Sequence, residues 1–464
     1  MAEWLPIVQV DITLNTTGST REGFGLPLFI ANTDVFPERV RTYSSMTDLA
    51  ADFPDATSAV NKAATKLWAQ TPKVTSLSVA RRDMQYLLSI PAAPTSGQTY
   101  TVTLFGANGT SSQRSVQSAA GDDQEAVLNK LKTQILADPT FGGITTVTSS
   151  GSGSTAKILV TATNPAVDFL RVTSSALITN QSSPSDDPAT FLKNIMEYDN
   201  TWYFVAIEDR QPATVTEFAN QIAAQTSRKL FFTATDISTA LSGTVLANAT
   251  DWVAALAQQK SPRVAVLWHH TAASDYPEMA YIGYGAPYDA GSITWSNAQL
   301  AGVAYSMQPQ TLNVVDGVTT GRPLNSGQKA ALETRNCNYV DYDGGVSCVR
   351  HGKLSSGEWI DVVHGTDWLQ ADLTTALRDL LVNQKGGKVT YDDRGITRVR
   401  QVIESSLERA VGRNLLSSYK VKVPRASQIS TELKRQRLLK DMSFTGILAG
   451  AINDVNLQGT VSYD

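Results

Sequence analysis

Residues 454–463, next to the end of the 464-residue chain, alternate between apolar and polar side chains. Val455, Leu457, Val461 and Tyr463 fall on one side of an extended segment, and polar residues fall on the other. A period of two predicts a half-buried strand over 454–463, at a chain end where disorder is the usual expectation. Such a strand is stable only when a sheet accepts it. The pattern therefore raises the question of which sheet this strand joins.

The opening of the chain shows the same alternation over 7–14. Its apolar positions are Val8, Val10, Ile12 and Leu14. Both ends are therefore predicted to form two-faced strands. Two alternatives stay open for them. The strands pair with a sheet of their own chain, as in most domains, or they add to sheets of neighbouring copies, where backbone hydrogen bonds set the register.

Two amphipathic helices come before the final strand. The first is predicted to be capped near Thr366 or Asp367, and the second follows the turn-like pair Asp392-Asp393. Apolar residues spaced by three and four give each helix one face that has to be buried. These faces comprise Leu369, Leu373, Ala376, Leu377 and Leu380 in the first helix, and Ile396, Val399, Ile403, Leu407 and Ala410 in the second.

The size and charge of the chain limit its class. A chain of 464 residues exceeds the size at which one core keeps growing, so two or three domains are expected. With 39 basic and 43 acidic residues the formal charge is −4, which does not favour nucleic-acid binding. The sequence contains no run of about 18 apolar residues, so direct membrane insertion is not predicted. No export signal is recognised after Met1.

The chain has two cysteines, Cys337 and Cys348, on either side of a predicted hairpin turn at 343–345. Without an export signal, a reducing compartment with free thiols is the favoured interpretation. Two cysteines that face each other across a hairpin could also be bridged.

Strand and helix patterns alternate in two parts of the chain. An apolar strand over 26–31, a second short strand over 40–43, two helices and an alternating strand occupy 26–80. Continuous apolar runs at 202–207, 229–233 and 263–268 are typical of strands buried on both faces, and helical patterns separate them. This order predicts an α/β fold with a right-handed parallel layer.

Ser, Thr and Gly dominate the segment 84–187 between these parts. It contains the hairpin signal Asn108-Gly109 and one helix, for which Asp122 and Glu125 are predicted to form a capping box. Several further strand-like runs surround that helix. We interpret 84–187 as an inserted, mostly β domain of a common size.

The sequence contains no recognisable catalytic, cofactor-binding or metal-binding motif. No G-x-x-x-x-G-K-[ST] occurs, and Gly283-Tyr-Gly285 lacks the third glycine of a dinucleotide loop. The neighbouring His269 and His270 would point to opposite faces of a strand. His351, His364 and Asp361 suggest a Ser-His-Asp arrangement, but no G-x-S-x-G elbow accompanies them. No cofactor is expected and no enzyme class is indicated.

Basic residues are concentrated on and after the second C-terminal helix. A solvated helix face with charge pairs four residues apart is one explanation. The alternative is a polar contact surface for an acidic partner. The residues concerned are Arg394, Arg398, Arg400, Lys434, Arg435 and Arg437.

The order of these patterns resembles that of the tail sheath proteins of contractile bacteriophages, in particular a divergent myophage branch. No short motif is diagnostic, and the resemblance is weakest over 84–187. It is carried by Arg41-Thr-Tyr43, Asp48-Leu-Ala-Ala-Asp-Phe53, 63–68 and Leu77-Ser-Val-Ala-Arg81 near the start, and by Asn338-Tyr-Val340, Cys348-Val-Arg350, Trp359-Ile-Asp-Val362 and the two helices near the end.

The resemblance implies a multi-domain, mixed α/β sheath core built from the N- and C-terminal parts of the chain. The expected domains are an arm over 1–18, a core over 19–83 and 188–440 with 320–440 close to the tube, the insert 84–187, and a second arm over 441–464. Subunits would stack as hexameric rings around a tail tube, linked by strand exchange of their arms, and would contract by rigid-body rotation.

The resemblance also implies partners and a location. The partners would be further copies of the chain, the tail tube protein, and the baseplate and tail terminator proteins. The protein would be assembled in the host cytoplasm and reside in the virion tail, with the basic residues facing the tube. The main rival is an α/β enzyme or ligand-binding protein without a recognisable motif. A tube or baseplate protein is a second rival.

Overall fold

The computed structural model describes residues 23–165, 167–382, 388–455 and 458. Within these residues the chain forms 19 strands and 12 α-helices, which confirms the predicted mixed α/β class. The strands are β1 (Pro27–Ala31), β2 (Val40–Tyr43), β3 (Leu77–Arg81), β4 (Met84–Ser89), β5 (Thr99–Phe105), β6 (Ser111–Gln117), β7 (Thr145–Ser150), β8 (Lys157–Ala162), β9 (Arg171–Ser174), β10 (Thr179–Pro184), β11 (Phe204–Ile207), β12 (Leu230–Thr235), β13 (Val264–Trp268), β14 (Asn313–Val315), β15 (Val318–Thr320), β16 (Asn338–Asp343), β17 (Val346–Arg350), β18 (Leu416–Lys422) and β19 (Ser443–Leu448).

The helices are α1 (Met46–Asp52), α2 (Ala59–Trp68), α3 (Gln124–Leu136), α4 (Pro188–Tyr198), α5 (Pro212–Ala224), α6 (Trp252–Gln258), α7 (Ala272–Asp275), α8 (Pro277–Gly285), α9 (Ser326–Thr334), α10 (Ile360–Val382), α11 (Asp393–Gly412) and α12 (Thr431–Arg435). The described residues divide into two compact units. The main unit contains Gly23–Asp289, Ile293–Asp361 and the residues from Asn453 on, and the C-terminal unit contains Ala290–Ser292 and Val362–Ile452.

An eight-stranded sheet organises the main unit, in the order β17-β16-β13-β12-β11-β1-β3-β2. Its six inner strands are parallel, and β2 and β17 pair antiparallel at the two edges. Every residue of β1, β11, β12 and β13 is buried, as expected for strands covered on both faces. The parallel arrangement predicted for the three apolar runs is confirmed.

Helix α8 is buried on nearly all sides, which is why its sequence shows no useful periodicity. Gly283 lies where α8 passes close to α2, since a Cβ at this position would be 2.5 Å from the Leu67 carbonyl oxygen. A residue with a side chain would therefore push the two helices apart. The Gly283-Tyr-Gly285 sequence serves helix packing at this point.

Residues 84–184 form two sheets of their own, ordered β10-β4-β8-β7 and β6-β5-β9. The Asn108-Gly109 turn joins β5 to β6, and both of its residues have positive φ angles of 62° and 71°. The predicted capping box of α3 is wrong. Asp123 caps the helix by accepting from Ala126 N at 2.8 Å, whereas Asp122 accepts from Ala119 N at 2.6 Å. Adjacent aspartates offer the same capping chemistry, so the sequence could not separate them.

A separate hydrophobic cluster lies between these two sheets and α3. It includes Tyr86, Tyr100, Leu128, Phe141 and Val160, each at most 1% exposed. The cluster is distinct from the one that packs α4, α5 and α6 against the main sheet. Residues 84–184 therefore have an interior of their own.

Helix α10, most of which belongs to the C-terminal unit, begins at Ile360, earlier than predicted. Thr366 and Asp367 lie inside the helix, whose first turn includes residues 360–362, whereas Trp359 forms an isolated β-bridge with Lys353. A run as short as Trp359-Ile-Asp-Val362 is compatible with either structure, so periodicity cannot decide between them. The second helix, α11, begins as predicted, since Asp392 Oδ1 accepts from Gly395 N at 2.7 Å.

The apolar face predicted for α11 is confirmed, because its five residues are all at most 7% exposed. Two contacts hold α11 beside α10. Arg409 Nε donates to Asp372 Oδ2 at 3.1 Å, and the Arg413 guanidinium lies 4.0 Å from the centre of the Trp368 ring. Cys337 and Cys348 are free thiols, as favoured from the sequence.

Candidate assembly surface

Strands β18 and β19 form a two-stranded antiparallel sheet in the C-terminal unit. Their register runs from Leu416 opposite Leu448 to Lys422 opposite Ser443, with a bulge between Leu416 and Ser418. This pairing changes the interpretation of the predicted C-terminal arm 441–464. Its residues 443–448 pair inside the chain.

Nothing covers β19 among the described residues, and all six of its side chains are exposed. Phe444, Ile447 and Leu448 are 43%, 61% and 44% exposed, although each is a large apolar residue. On β18, Tyr419 donates a hydrogen bond from its hydroxyl to Glu408 of α11 at 2.6 Å. Strand β18 is therefore tied to a helix, whereas β19 faces solvent.

A sheet of two strands has two edges with unpaired backbone groups. Neither β18 nor β19 pairs with a third strand within the part of the chain that is described. Two strands alone are marginally stable in water, and an exposed edge is a template for pairing with another chain. The β18–β19 sheet can therefore accept an extended segment at its edge.

Sequence reasoning missed β19 as an independent strand. It treated 441–464 as one arm, although Gly446 and Gly450 interrupt the apolar pattern. Gly450 has a φ angle of 62°, which ends the extended run after Leu448. The two glycines were the available signal for separating β19 from the residues that follow.

The predicted arm residues are mostly outside the described part of the chain. This holds for Val8, Val10, Ile12, Leu14, Leu457, Val461 and Tyr463. Val455 is described, belongs to no strand and is 84% exposed.

Three predicted contact residues lie on α11. Arg394 and Arg400 are exposed, and Arg398 is half-buried. Arg400 Nε lies 2.7 Å from Glu404 Oε1, one helical turn away. This pair has the geometry expected of a solvated helix face.

The other three lie on or after α12. Lys434 is half-buried, and Arg435 lies 2.9 Å from Glu432 with a side chain that is 78% exposed. Arg437 follows the helix and is exposed, with a φ angle of 55°. Five of the six residues thus lie on two helices, and Arg437 lies after the second of them.

The C-terminal unit is basic, in contrast to the chain as a whole. Between Val362 and Ile452 the sequence has 15 Lys and Arg against 9 Asp and Glu, a formal charge of +6, whereas the full chain carries −4. The unit therefore has a formal charge opposite in sign to that of the whole chain.

The prediction that His269 and His270 point to opposite faces of a strand is wrong: β13 ends at Trp268, and the two rings lie beside each other with centres 4.3 Å apart. His269 is buried, and its Nε2 donates to the Ala304 carbonyl at 2.9 Å, while Nδ1 accepts from Thr271 N at 3.2 Å. Burial lowers the pKa of His269 to about 3, so the ring is neutral. No group of three His, Cys, Asp or Glu with the spacing of a metal site occurs in the described ranges.

No helix in the described residues combines the length and the low polarity needed to cross a bilayer.

Comparison with known sequences finds no match: no known protein-family profile fits the chain, and no curated protein is similar to it.

Two sheath tail proteins are among the solved structures that are similar to this chain. The sheath tail protein of Desulfitobacterium hafniense is 8% identical with a TM-score of 0.43, over 89% of this chain and 93% of that chain. The sheath tail protein of Listeria innocua is 10% identical with a TM-score of 0.42, over 94% of this chain and 97% of that chain.

Proposed function

We propose that this chain is a structural subunit of a contractile phage tail, which polymerises as stacked hexameric rings around a tail tube. The observation that carries the proposal is the β18–β19 sheet with its uncovered strand β19. A monomer gains nothing from three exposed large apolar side chains on such a strand, whereas a polymer buries them. The resemblance of the sequence pattern to sheath proteins indicates which kind of polymer this is, namely a tail sheath.

The terminal segments are the proposed partners of this sheet. The sequence patterns at 7–14 and 454–463 have the period of two that suits a strand added to an existing edge. In the proposed polymer these segments of one copy extend the β18–β19 sheet of another. Backbone hydrogen bonds then join the subunits, and the connecting segments stay intact while the subunits rotate during contraction.

The basic residues of the C-terminal unit are the proposed contact with the tube. They are Arg394, Arg398, Arg400, Lys434, Arg435 and Arg437, within a unit of formal charge +6. Polar contacts give register without a large hydrophobic interface, which suits a surface that holds and then slides. Contraction would drive the tube through the host envelope, with baseplate and terminator proteins at the ends of the sheath.

A matched pair of variants tests the strand exchange. Val461→Pro removes a backbone donor and blocks strand pairing, whereas Val461→Ile keeps the alternation. Sedimentation of the concentrated full-length protein is the measurement. We expect that Val461→Ile polymerises like the unmodified chain and that Val461→Pro stays monomeric.

Deletions extend this test to both ends. Removal of 1–16 or of 454–464 should abolish polymerisation and leave a folded monomer, as judged by circular dichroism. A rival enzyme or ligand-binding protein would keep its size and its fold after either deletion. Equal polymerisation of all variants would contradict the proposed exchange.

A further inference from the structure

Two side chains of the main unit hold Asn453. The Thr294 hydroxyl donates a hydrogen bond to Asn453 Oδ1 at 2.9 Å, and the Asn297 side-chain amide donates one to the Asn453 backbone oxygen at 2.8 Å. Nearby residues on either side, Ile452 and Val455, are 85% and 84% exposed. Asn453 is therefore a fixed point between two residues that are open to solvent.

Asn297 is itself fixed at the edge of the main sheet. Its backbone N–H donates to the Val349 carbonyl of β17 at 2.7 Å, and Val349 N–H donates to the Ala298 carbonyl at 2.8 Å. Asn297 has a φ angle of 60°, a left-handed conformation that Asn tolerates better than most residues. The main sheet thus determines where the Asn297 amide points.

Thr294 is positioned by the aromatic interior beside it. The Tyr284 hydroxyl donates to the Thr294 carbonyl at 3.3 Å, and the Tyr281 hydroxyl donates to the Trp295 carbonyl at 2.8 Å. Trp295 is only 1% exposed and packs against Tyr281 with ring centres 5.3 Å apart. Both donors to Asn453 therefore belong to rigid parts of the main unit.

The charge contact next to Asn453 adds little. Arg350 Nη1 lies 3.4 Å from Asp454 Oδ1, and the Asp454 side chain is 83% exposed. Solvent and salt screen an ion pair of this kind. The two neutral hydrogen bonds to Asn453 therefore account for most of the attachment, which should be insensitive to ionic strength.

We propose that Thr294 and Asn297 form an anchor that keeps Asn453 on its own subunit, so that only residues after Asp454 are exchanged between copies. The preceding strand β19 is already paired with β18 inside the chain. The exchanged segment thus begins at Val455 and not near residue 441. This inference rests on the proposed function for the exchange, whereas the anchor itself can be tested in the monomer.

Limited proteolysis of the monomer tests the anchor. Thermolysin cuts before apolar residues, which makes the bonds before Ile452 and Val455 suitable reporters. The double variant Thr294→Val, Asn297→Asp keeps the side-chain shapes but removes both donors to Asn453. We expect cleavage at these two bonds to become roughly tenfold faster. The control Asn313→Ala, at an exposed position of β14, should not change the rate.

Equal cleavage rates in the double variant and the unmodified protein would overturn the anchor. An equal increase in the cleavage rate of the control Asn313→Ala would also overturn the anchor.

A disulfide tests where the exchange begins. Thr294→Cys with Asn453→Cys, in a Cys348→Ser background, places one thiol at the Thr294 hydroxyl and the other at the Cγ position of Asn453, whose Oδ1 is 2.9 Å from that hydroxyl. Failure to cross-link on oxidation would count against the anchor. If the anchor persists in the polymer, the oxidised and reduced proteins should polymerise equally.

Loss of polymerisation only after oxidation would contradict the proposed starting point, because Asn453 would then have to leave its subunit. If the unmodified chain does not polymerise either, the proposed function fails together with the exchange, and the proteolysis result still decides whether the anchor exists.

Discussion

Arg82 and Asp186 are 104 residues apart in sequence, and Arg82 Nε donates to Asp186 Oδ1 at 2.8 Å. Their side chains are 6% and 3% exposed. The pair lies where the chain enters β4 and where it has left β10, and Asp186 Oδ2 also accepts from Asp83 N at 3.0 Å. The Arg82 guanidinium lies 4.5 Å from the centre of the Phe191 ring of α4. One ion pair thus fixes both ends of 84–184 to the main sheet.

Loss of Arg82 should strongly destabilise this junction. Burial already raises the pKa of Asp186, and Arg82 opposes that shift. Arg82→Ala leaves a buried carboxylate without its cation, at a cost of about 3–5 kcal/mol in the free energy of unfolding. Urea denaturation measures this cost. The control Arg171→Ala removes a half-exposed arginine 3.9 Å from Asp34 and should cost less than about 1 kcal/mol. Equal costs for the two variants would contradict a structural role for Arg82.

Excision of the β-rich segment should leave the main sheet folded. Ser185 N donates to the Asp83 carbonyl at 2.8 Å, so the ends of the segment are adjacent. A variant that joins Asp83 to Ser185 through two glycines removes the separate cluster and keeps the junction. We expect one cooperative thermal transition by circular dichroism and unchanged polymerisation. Insoluble protein, or loss of the transition, would mean that 84–187 is not an inserted domain.

The main features of the fold could be predicted because they depend on local patterns. The buried strands β11, β12 and β13 are continuous apolar runs, and the apolar face of α11 repeats at helical spacing. The start of α10 could not be predicted, because the short run 359–362 gives no period that separates helix from strand, and in the structure Trp359 forms a β-bridge while 360–362 are helical. Helix α8 was missed since a helix buried on all sides has no polar face.

The buried His269 should make stability depend on pH. Its pKa is lowered to about 3, whereas the unfolded chain has an ordinary histidine pKa of about 6.5. Between these values the unfolded chain binds more protons, so the contribution of His269 is complete above about pH 6.5 and is lost as the pH falls.

The variant His269→Gln keeps a donor for the Ala304 carbonyl but does not titrate. Well below pH 6.5 the unmodified protein should lose about 1.4 kcal/mol of unfolding free energy per pH unit relative to this variant. Urea titrations at pH 7.5 and pH 5 measure the difference. Parallel pH profiles of the two proteins would contradict a neutral, buried His269.

The exposed apolar residues of β19 should matter for assembly and not for folding. Ile447 is 61% exposed, so Ile447→Thr should change the unfolding free energy by no more than about 0.5 kcal/mol. Self-association should weaken at least about fivefold, because an apolar contact between copies is lost. Val245→Thr, at a 56% exposed position of the main unit, is the control. Sedimentation velocity compares the three proteins, and equal weakening by both variants would contradict a specific role for β19.

The candidate assembly surface was only partly accessible from sequence. Alternation at 454–463 predicts a strand that has to pair with a sheet, but periodicity does not say which sheet this is. The β18–β19 pairing depends on contacts between residues 21 to 32 positions apart, and the anchor on Asn453 depends on side chains more than 150 positions away. Long-range relationships of this kind have no signature in a single sequence.

The central claim is that copies of this chain join into a sheath. Negative-stain electron microscopy of the concentrated full-length protein tests it most directly. The account predicts striated tubes built from stacked rings, which disappear in the Val461→Pro variant. Uniform small particles at every concentration and salt condition would contradict it.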